Sequence, residues 1–138
     1  MSNTVKDVQI IEIPKIHDVR GNLSVVEGNT IPFEIKRIYY LYDVPSGAER
    51  GGHSHIAQEE LLIAVSGSFE VVLKDSWAEK IVTLNKPNQG LWIPTGIWRE
   101  LQDFSSGSVC LVIASDTFDE QDYIREYKDF ELFKRGGN

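Results

Sequence analysis

Residues 60–73 read ELLIAVSGSFEVVL. Two runs rich in β-branched and apolar residues, 60–65 and 68–73, flank the turn pair Ser66-Gly67, which is the pattern of strand, turn, strand. The same grammar repeats outward. Upstream lie 8–13 (VQIIEI), 23–27 (LSVVE) and 35–42 (IKRIYYLY); downstream lie 80–84 (KIVTL), 90–93 (GLWI) and 108–114 (SVCLVIA). Turn chemistry separates them: Pro45-Ser46-Gly47, Lys74-Asp75-Ser76, Lys86-Pro87-Asn88, Pro94-Thr95-Gly96 and Ser105-Ser106-Gly107. Many short strands at nearly even spacing predict an all-β sandwich or barrel. The C-terminus departs from this. In 117–133 (TFDEQDYIREYKDFELF), Tyr123, Ile124, Tyr127, Phe130 and Phe133 fall mostly three and four apart. That spacing predicts one or two short helical segments docked on the barrel or on a second subunit. Residues 134–138 are expected to fray.

The chain has 138 residues and 41% apolar content, enough for one domain, residues 1–138, with its own core. Acidic residues outnumber basic ones 21 to 14, for a net charge of −7. A nucleic-acid binder would show a basic excess instead. A phosphorylated ligand stays open, because a local arginine cluster works inside an acidic protein. The single cysteine, Cys110, sits in an apolar run and reads as a small buried hydrophobe. The first nine residues are polar, with no signal-peptide core, and no apolar run approaches the ~20 residues of a membrane helix. A cytoplasmic protein without membrane partners is expected.

Chemistry concentrates in 47–67, GAERGGHSHIAQEELLIAVSG. His53 and His55 are two apart, so on a strand both imidazoles point to one face. Two inward histidines in a small barrel are costly unless they meet water, a ligand or a metal. An exposed pair at a solvated strand end is the plain alternative. Arg50 and Gly51-Gly52 stand just before. Glycines permit close backbone approach to a ligand, and arginine suits bidentate phosphate contacts.

Gly47, His53, His55, Glu60 and Gly67 fit the first cupin motif, G-x5-H-x-H-x4-E-x6-G, at every position. The resemblance implies a cupin jelly-roll β-barrel with a short C-terminal helical segment. The second cupin motif resembles residues 94–99, PTGIWR. There Arg99 stands where metal cupins place a third histidine. More narrowly, RGGHSH, the run 90–116 (GLWIPTGIWRELQDFSSGSVCLVIASD), DEQDYIREY and DVRGNLSVVE resemble the sugar 3,4-ketoisomerases of nucleotide-sugar metabolism. The match spans about residues 18–130. Many members carry Gln where this chain has Glu60.

The resemblance implies a substrate, dTDP-4-keto-6-deoxy-D-glucose, and a reaction moving the ketone from C4 to C3 through an enediol. It implies no cofactor, and it leaves the product's C4 configuration, gluco or galacto, open. The route serves 3-amino-3,6-dideoxy sugars of the kind found in lipopolysaccharide O-antigens and S-layer glycans. Histidine titrates in the range such proton transfers need. The resemblance places the catalytic histidine pair in this motif; His53 is assigned as carbon base and His55 as its partner in an oxygen relay, with the reverse order open, and the resemblance tips Tyr39 from a barrel-wall aromatic towards a phenol facing the sugar oxygens. Arg20, Arg37, Arg50 and Arg99 compete for the diphosphate. Glu60 orients a histidine, and Trp98 walls the cavity or stacks on the base, unless it is a core aromatic. His17 is assigned no role. A metal-dependent cupin using His53, His55 and Glu60, a non-catalytic sugar-binding cupin and a 3,5-epimerase relative are the competing readings. The aromatic C-terminus and the exposed edges of an open double sheet motivate a homodimer.

Overall fold

The computed structural model describes residues 2–136. In chain order the strands are β1 (Gln9–Glu12), β2 (Lys15–Asp18), β3 (Gly21–Ser24), β4 (Arg37–Leu41), β5 (Arg50–His55), β6 (Glu60–Ser66), β7 (Phe69–Lys74), β8 (Glu79–Leu84), β9 (Gln89–Ile93), β10 (Trp98–Gln102), β11 (Val109–Ala114) and β12 (Tyr123–Ile124). Helix α1 (Tyr127–Arg135) comes last. Two five-stranded antiparallel sheets pack face to face as a jelly roll, ordered β1-β9-β6-β11-β4 and β12-β5-β10-β7-β8. Strands β2 and β3 form a separate hairpin. No helix among the described residues is long and apolar enough to cross a membrane.

The core lies between the sheets. Leu62 and Ala64 of β6 meet Val71 and Leu73 of β7, with Leu91, Leu101 and Val112 from their neighbours. Strand β6 is apolar on both faces because its outer face is covered too. Leu61 and Ile63 pack with Ile13, Ile31 and Ile113 under the segment around residues 26–33. A strand buried on both sides reads as a continuous apolar run rather than an alternation. Cys110 is fully buried, as its surroundings predict.

Four strands fall outside the strand runs read from the sequence: β2, β5, β10 and β12. Strand β5 is RGGHSH and β10 is WRELQ. Their inward positions serve the cavity, so polar residues stand where the core pattern would show hydrophobes. The C-terminal periodicity resolves as a 3-10 turn at Glu120–Asp122, then β12, then α1. Asp119 caps the turn by accepting from the Gln121 amide at 3.0 Å. Residues 123 and 124 are extended because β12 pairs with the open edge of β5, Tyr123 opposite His55. Backbone pairing outweighs helical spacing here. Lys134 is not frayed: it is buried, and its ammonium donates to the Ser2 hydroxyl and to the carbonyls of Asn3 and Gly96. Residues 137 and 138 of the expected tail lie outside the described residues.

Gly67 closes the turn from β6 to β7 with φ +68°, and a Cβ there would lie 2.8 Å from Ser108 Cα. Left-handed backbone costs an L-residue about 1–2 kcal/mol, and contact with backbone cannot relax as a side chain would. Gly67→Ala is expected to lose about 2 kcal/mol or more of folding stability. A lowered urea midpoint at unchanged slope is the measurement that checks it.

Candidate active site

One end of the barrel interior holds a cavity of about 280 Å³. His53, Arg99 and Arg50 reach it from the β5–β10 pair. Arg99 sits opposite His53, and Leu101 opposite Arg50. The spacing is two residues on β10 but three on β5, so β5 carries a bulge between Arg50 and His53. The extra residue brings Arg50 to the face that carries His53. The Gly51-Gly52 pair thus serves the bulge. Arg37 and Tyr39 come from β4, Glu60 from β6, and Tyr123 and Arg125 from the C-terminal segment.

The polar groups form one network. Glu60 is 1% exposed. It accepts from Arg99 Nη1 at 2.6 Å, from the Tyr39 hydroxyl at 2.9 Å and from Gln58 Nε2 at 2.8 Å. Burial pushes its carboxyl up, but His55 nearby and the Arg99 guanidinium outweigh that and hold it below the ordinary carboxylate range. Arg99 also donates to the Ile97 carbonyl. His53 Nε2 lies 3.0 Å from His55 Nε2. Burial, the Arg99 charge and the neighbouring His55 press the His53 pKa down to about 3, so its ring is neutral at working pH. Tyr39 is raised above its ordinary value, by burial first and by Glu60 second.

The expected site residues separate into three groups. Arg37, Tyr39, Arg50, His53, Glu60 and Arg99 converge on the cavity. His55 stands behind His53 rather than beside it. It is fully buried and does not line the cavity, so direct contact with a sugar oxygen is not open to it. Arg20 and Trp98 lie elsewhere. Arg20 is in the exposed hairpin turn, paired with Asp18 at 2.7 Å. Trp98 packs outward against Tyr127 and Phe130, at ring separations of 5.2 and 5.8 Å, because β10 turns alternate side chains to opposite faces and gives the inner one to Arg99. His17 bonds Asn22 on the exposed hairpin.

Sequence reasoning missed Gln58, Asp122, Tyr123 and Arg125. Gln58 is buried between Glu60 and Arg37. The Tyr123 ring covers both histidines, at 5.0 and 4.4 Å, and Arg125 stacks on it at 4.2 Å. Asp122 reaches His55. Three of the four sit in DEQDYIREY, where a helical reading hid the alternation of a two-residue strand.

The geometry has counterparts of known activity. The family model described as FdtA, WxcM-like, C-terminal matches residues 6–135. A curated TDP-4-oxo-6-deoxy-alpha-D-glucose-3,4-oxoisomerase of Aneurinibacillus thermoaerophilus is 42% identical over 126 residues, 91% of each chain. A solved 3,4-ketoisomerase from Helicobacter canadensis is 44% identical, with a TM-score of 0.90, over 92% of this chain and 96% of that one. A mutant of the 3,4-ketoisomerase QdtA from Thermoanaerobacterium thermosaccharolyticum, solved with TDP-4-keto-6-deoxyglucose, is 41% identical with a TM-score of 0.93, over 96% of each chain. With a jelly roll, a buried histidine pair of which His53 faces an arginine-lined cavity, and likeness over nearly the whole length, the chain belongs to the WxcM-like family of sugar 3,4-ketoisomerases.

Proposed function

We propose that this chain, acting as a single cupin domain in the cytoplasm, converts TDP-4-keto-6-deoxy-D-glucose to the 3-keto isomer for 3-amino-3,6-dideoxy sugar synthesis. The observation that carries the reading is a neutral histidine, His53, facing a cavity lined by four arginines in a chain of net charge −7. Arg99 is matched by Glu60, and Arg125 by Glu120. Arg37 and Arg50 form no salt bridge among the described residues, and Arg37 Nε is buried without a hydrogen-bond acceptor. Guanidinium groups at a cavity wall without an acidic partner suit an anionic ligand, and the diphosphate supplies one. The cavity suits the hexose, with the nucleotide lying across its mouth.

The reaction starts at C3, whose proton is acidified by the adjacent C4 ketone. His53 takes that proton. The C–H electron pair moves into the C3–C4 bond, and the carbonyl oxygen becomes an enediolate oxyanion. Arg99 and Arg37 offer positive charge at the cavity wall where that oxyanion forms. The hydroxyl proton on O3 passes to O4, and Tyr39, held by Glu60, is the phenol at hand for that transfer. The proton then returns from His53 to C4, leaving the ketone at C3. Product configuration depends on which face of C4 receives it.

The metal reading has one observation in its favour. Ligand atoms of His53, His55 and Glu60 lie within 4.8 Å of one another. Against it, Glu60 already holds the Arg99 guanidinium at 2.6 Å, and a fixed cation there repels a second.

A homodimer is supported by surface the monomer leaves bare. All eight residues of β2 and β3 are exposed, Ile16 and Leu23 among them, and a lone two-stranded hairpin is marginal in water. Strand β4 is an open edge that also exposes Ile38 and Tyr40, with Tyr42 exposed just beyond it. A second copy covers both, and the hairpin then carries Arg20 onto the other subunit.

Incubated with TDP-4-keto-6-deoxyglucose in deuterated water, the wild type yields the 3-keto sugar by NMR, with deuterium at C4 to the extent that the His53 N–H exchanges with solvent between the two transfers. His53→Asn lowers kcat on the order of 10²–10⁴-fold with binding largely kept, whereas Arg50→Ala chiefly raises KM, because a phosphate contact serves ground and transition states alike. Wild-type exchange by His53→Asn would remove His53 as the base. Turnover survives a divalent-metal chelator; loss with the chelator and recovery on adding iron or manganese restores the metal reading. Sedimentation at micromolar concentration gives a dimer, and a stable monomer counts against the covered hairpin.

A further inference from the structure

Asp122 lies outside the cavity, on the far side of His55, yet it is tied to the base through two hydrogen bonds in series. Its Oδ1 accepts from the Ala57 amide at 2.6 Å, and its Oδ2 accepts from the Gln58 amide at 3.2 Å. The same Oδ2 lies 3.0 Å from His55 Nδ1. An ionised carboxylate only accepts, so Nδ1 of a neutral His55 carries the hydrogen and Nε2 carries the lone pair. A second contact agrees. Gln58 turns its oxygen to Arg37 and its amide nitrogen to Glu60, which leaves that NH₂ group 3.4 Å from His55 Nε2; Glu60 Oε2 lies at the same 3.4 Å, but it already accepts from Tyr39 and Gln58 and does not require a hydrogen from this nitrogen.

The assignment propagates. His55 Nε2 faces His53 Nε2 at 3.0 Å. With the lone pair on His55, the hydrogen of that contact belongs to His53 Nε2. Neutral His53 then holds its own lone pair on Nδ1, which has no hydrogen-bond partner among the described residues. His53 is also the histidine that lines the cavity.

We propose that Asp122 is a positioning residue that fixes the tautomers of both histidines, making Nδ1 of His53 the basic atom and His55 the store for the abstracted proton. This deepens the isomerase reading and rests on it for the identity of the carbon acid. The substrate C–H bond breaks and His53 Nδ1–H forms, with the electron pair left in the enediolate. In the same movement His53 Nε2–H breaks and His55 Nε2–H forms. The positive charge then lies on His55, between the carboxylates of Asp122 at 3.0 Å and Glu60 at 3.4 Å. Reversal of both transfers delivers the proton to C4.

The test is Asp122→Asn, which keeps the shape. The Asn oxygen stays on the Ala57 amide, the shorter of its two backbone bonds, and its NH₂ group faces His55 Nδ1. That nitrogen must now accept. His55 moves its hydrogen to Nε2, His53 Nε2 must accept in turn, and His53 Nδ1 becomes protonated and unable to act as a base. Ring ¹⁵N NMR of the substrate-free wild type is expected to show His55 protonated at Nδ1 and His53 at Nε2, with both assignments inverted in the variant. Turnover is expected to fall on the order of 10²–10⁴-fold in kcat with KM little changed, as an amide behind a catalytic histidine imposes the wrong tautomer. A variant with wild-type kcat, or one that loses kcat while keeping the wild-type tautomers, overturns the proposal. Should Asp122→Asn fail to fold, the wild-type spectrum decides alone: His55 carrying its hydrogen on Nε2 sinks the proposal. Should the wild type not isomerise the sugar at all, the substrate reading falls, and the tautomer pattern still tests the relay separately.

Discussion

The Arg99–Glu60 ion pair, 2.6 Å long with both side chains 2% exposed, is the constraint around which the site is built. Two charges inside a barrel are expensive to desolvate, and the pair persists only where every remaining polar atom is met. Glu60 meets this with Tyr39 and Gln58 as further donors, and Arg99 with the Ile97 carbonyl. Each of those partners is fixed in return. The Tyr39 phenol is drawn toward β6, the Gln58 amide takes a defined orientation, and that orientation presents a donor to His55. Removing one member of such a buried pair leaves the other uncompensated, which typically costs several kcal/mol. Replacing His by Arg at position 99 of a cupin pattern therefore changes more than metal affinity. It converts a ligand cage into a salt-bridged wall with positive charge toward the cavity.

The fold was legible where its residues serve the core. The runs at 60–65, 68–73 and 108–114 are strands because Leu62, Val71 and Val112 must meet between two sheets. It was illegible where residues serve the site. Strand β5 is RGGHSH, mostly glycine and histidine, and β10 is WRELQ with an arginine at its most buried position. A cavity needs inward polar groups, and inward polar groups erase the hydrophobic alternation by which strands are read. Trp98 shows the same effect inverted. Its neighbour Arg99 takes the inner face, so the large aromatic serves the packing of α1 instead. The His53–His55 spacing correctly predicted a shared face, but not the depth, because the second ring lies beneath the first. That order comes from β12, whose Tyr123 pairs with His55 and caps the strand edge.

The C-terminal segment thus does two jobs in nine residues. It closes the edge of β5 with β12, and it delivers Asp122 and Tyr123 to the histidines. Nothing local to DEQDYIREY announces this. Asp122 acts only once Ala57 and Gln58, more than sixty positions upstream, turn their amides toward it. A loop just after the His motif and a loop just after the last long strand are brought together by the sheet order, β12 beside β5. Jelly-roll topology, more than any motif, assembles these groups.

The arrangement also resolves a conflict inherent in the chemistry. A cavity proposed to bind a diphosphate and an enediolate needs cations, and here burial first, then Arg99 and to a smaller extent Arg125, hold His53 unprotonated. The same field that attracts the substrate therefore weakens the base that must take its proton. A single histidine among these arginines would be a poor acceptor, because the imidazolium it becomes is repelled from two sides. Placing a second histidine behind the first separates the tasks. In the proposed relay His53 contacts the carbon on the cationic side, and the charge passes 3.0 Å further, to a ring flanked by Asp122 and Glu60. The wall thus has arginines in front and carboxylates behind, and the histidine pair spans the boundary between them.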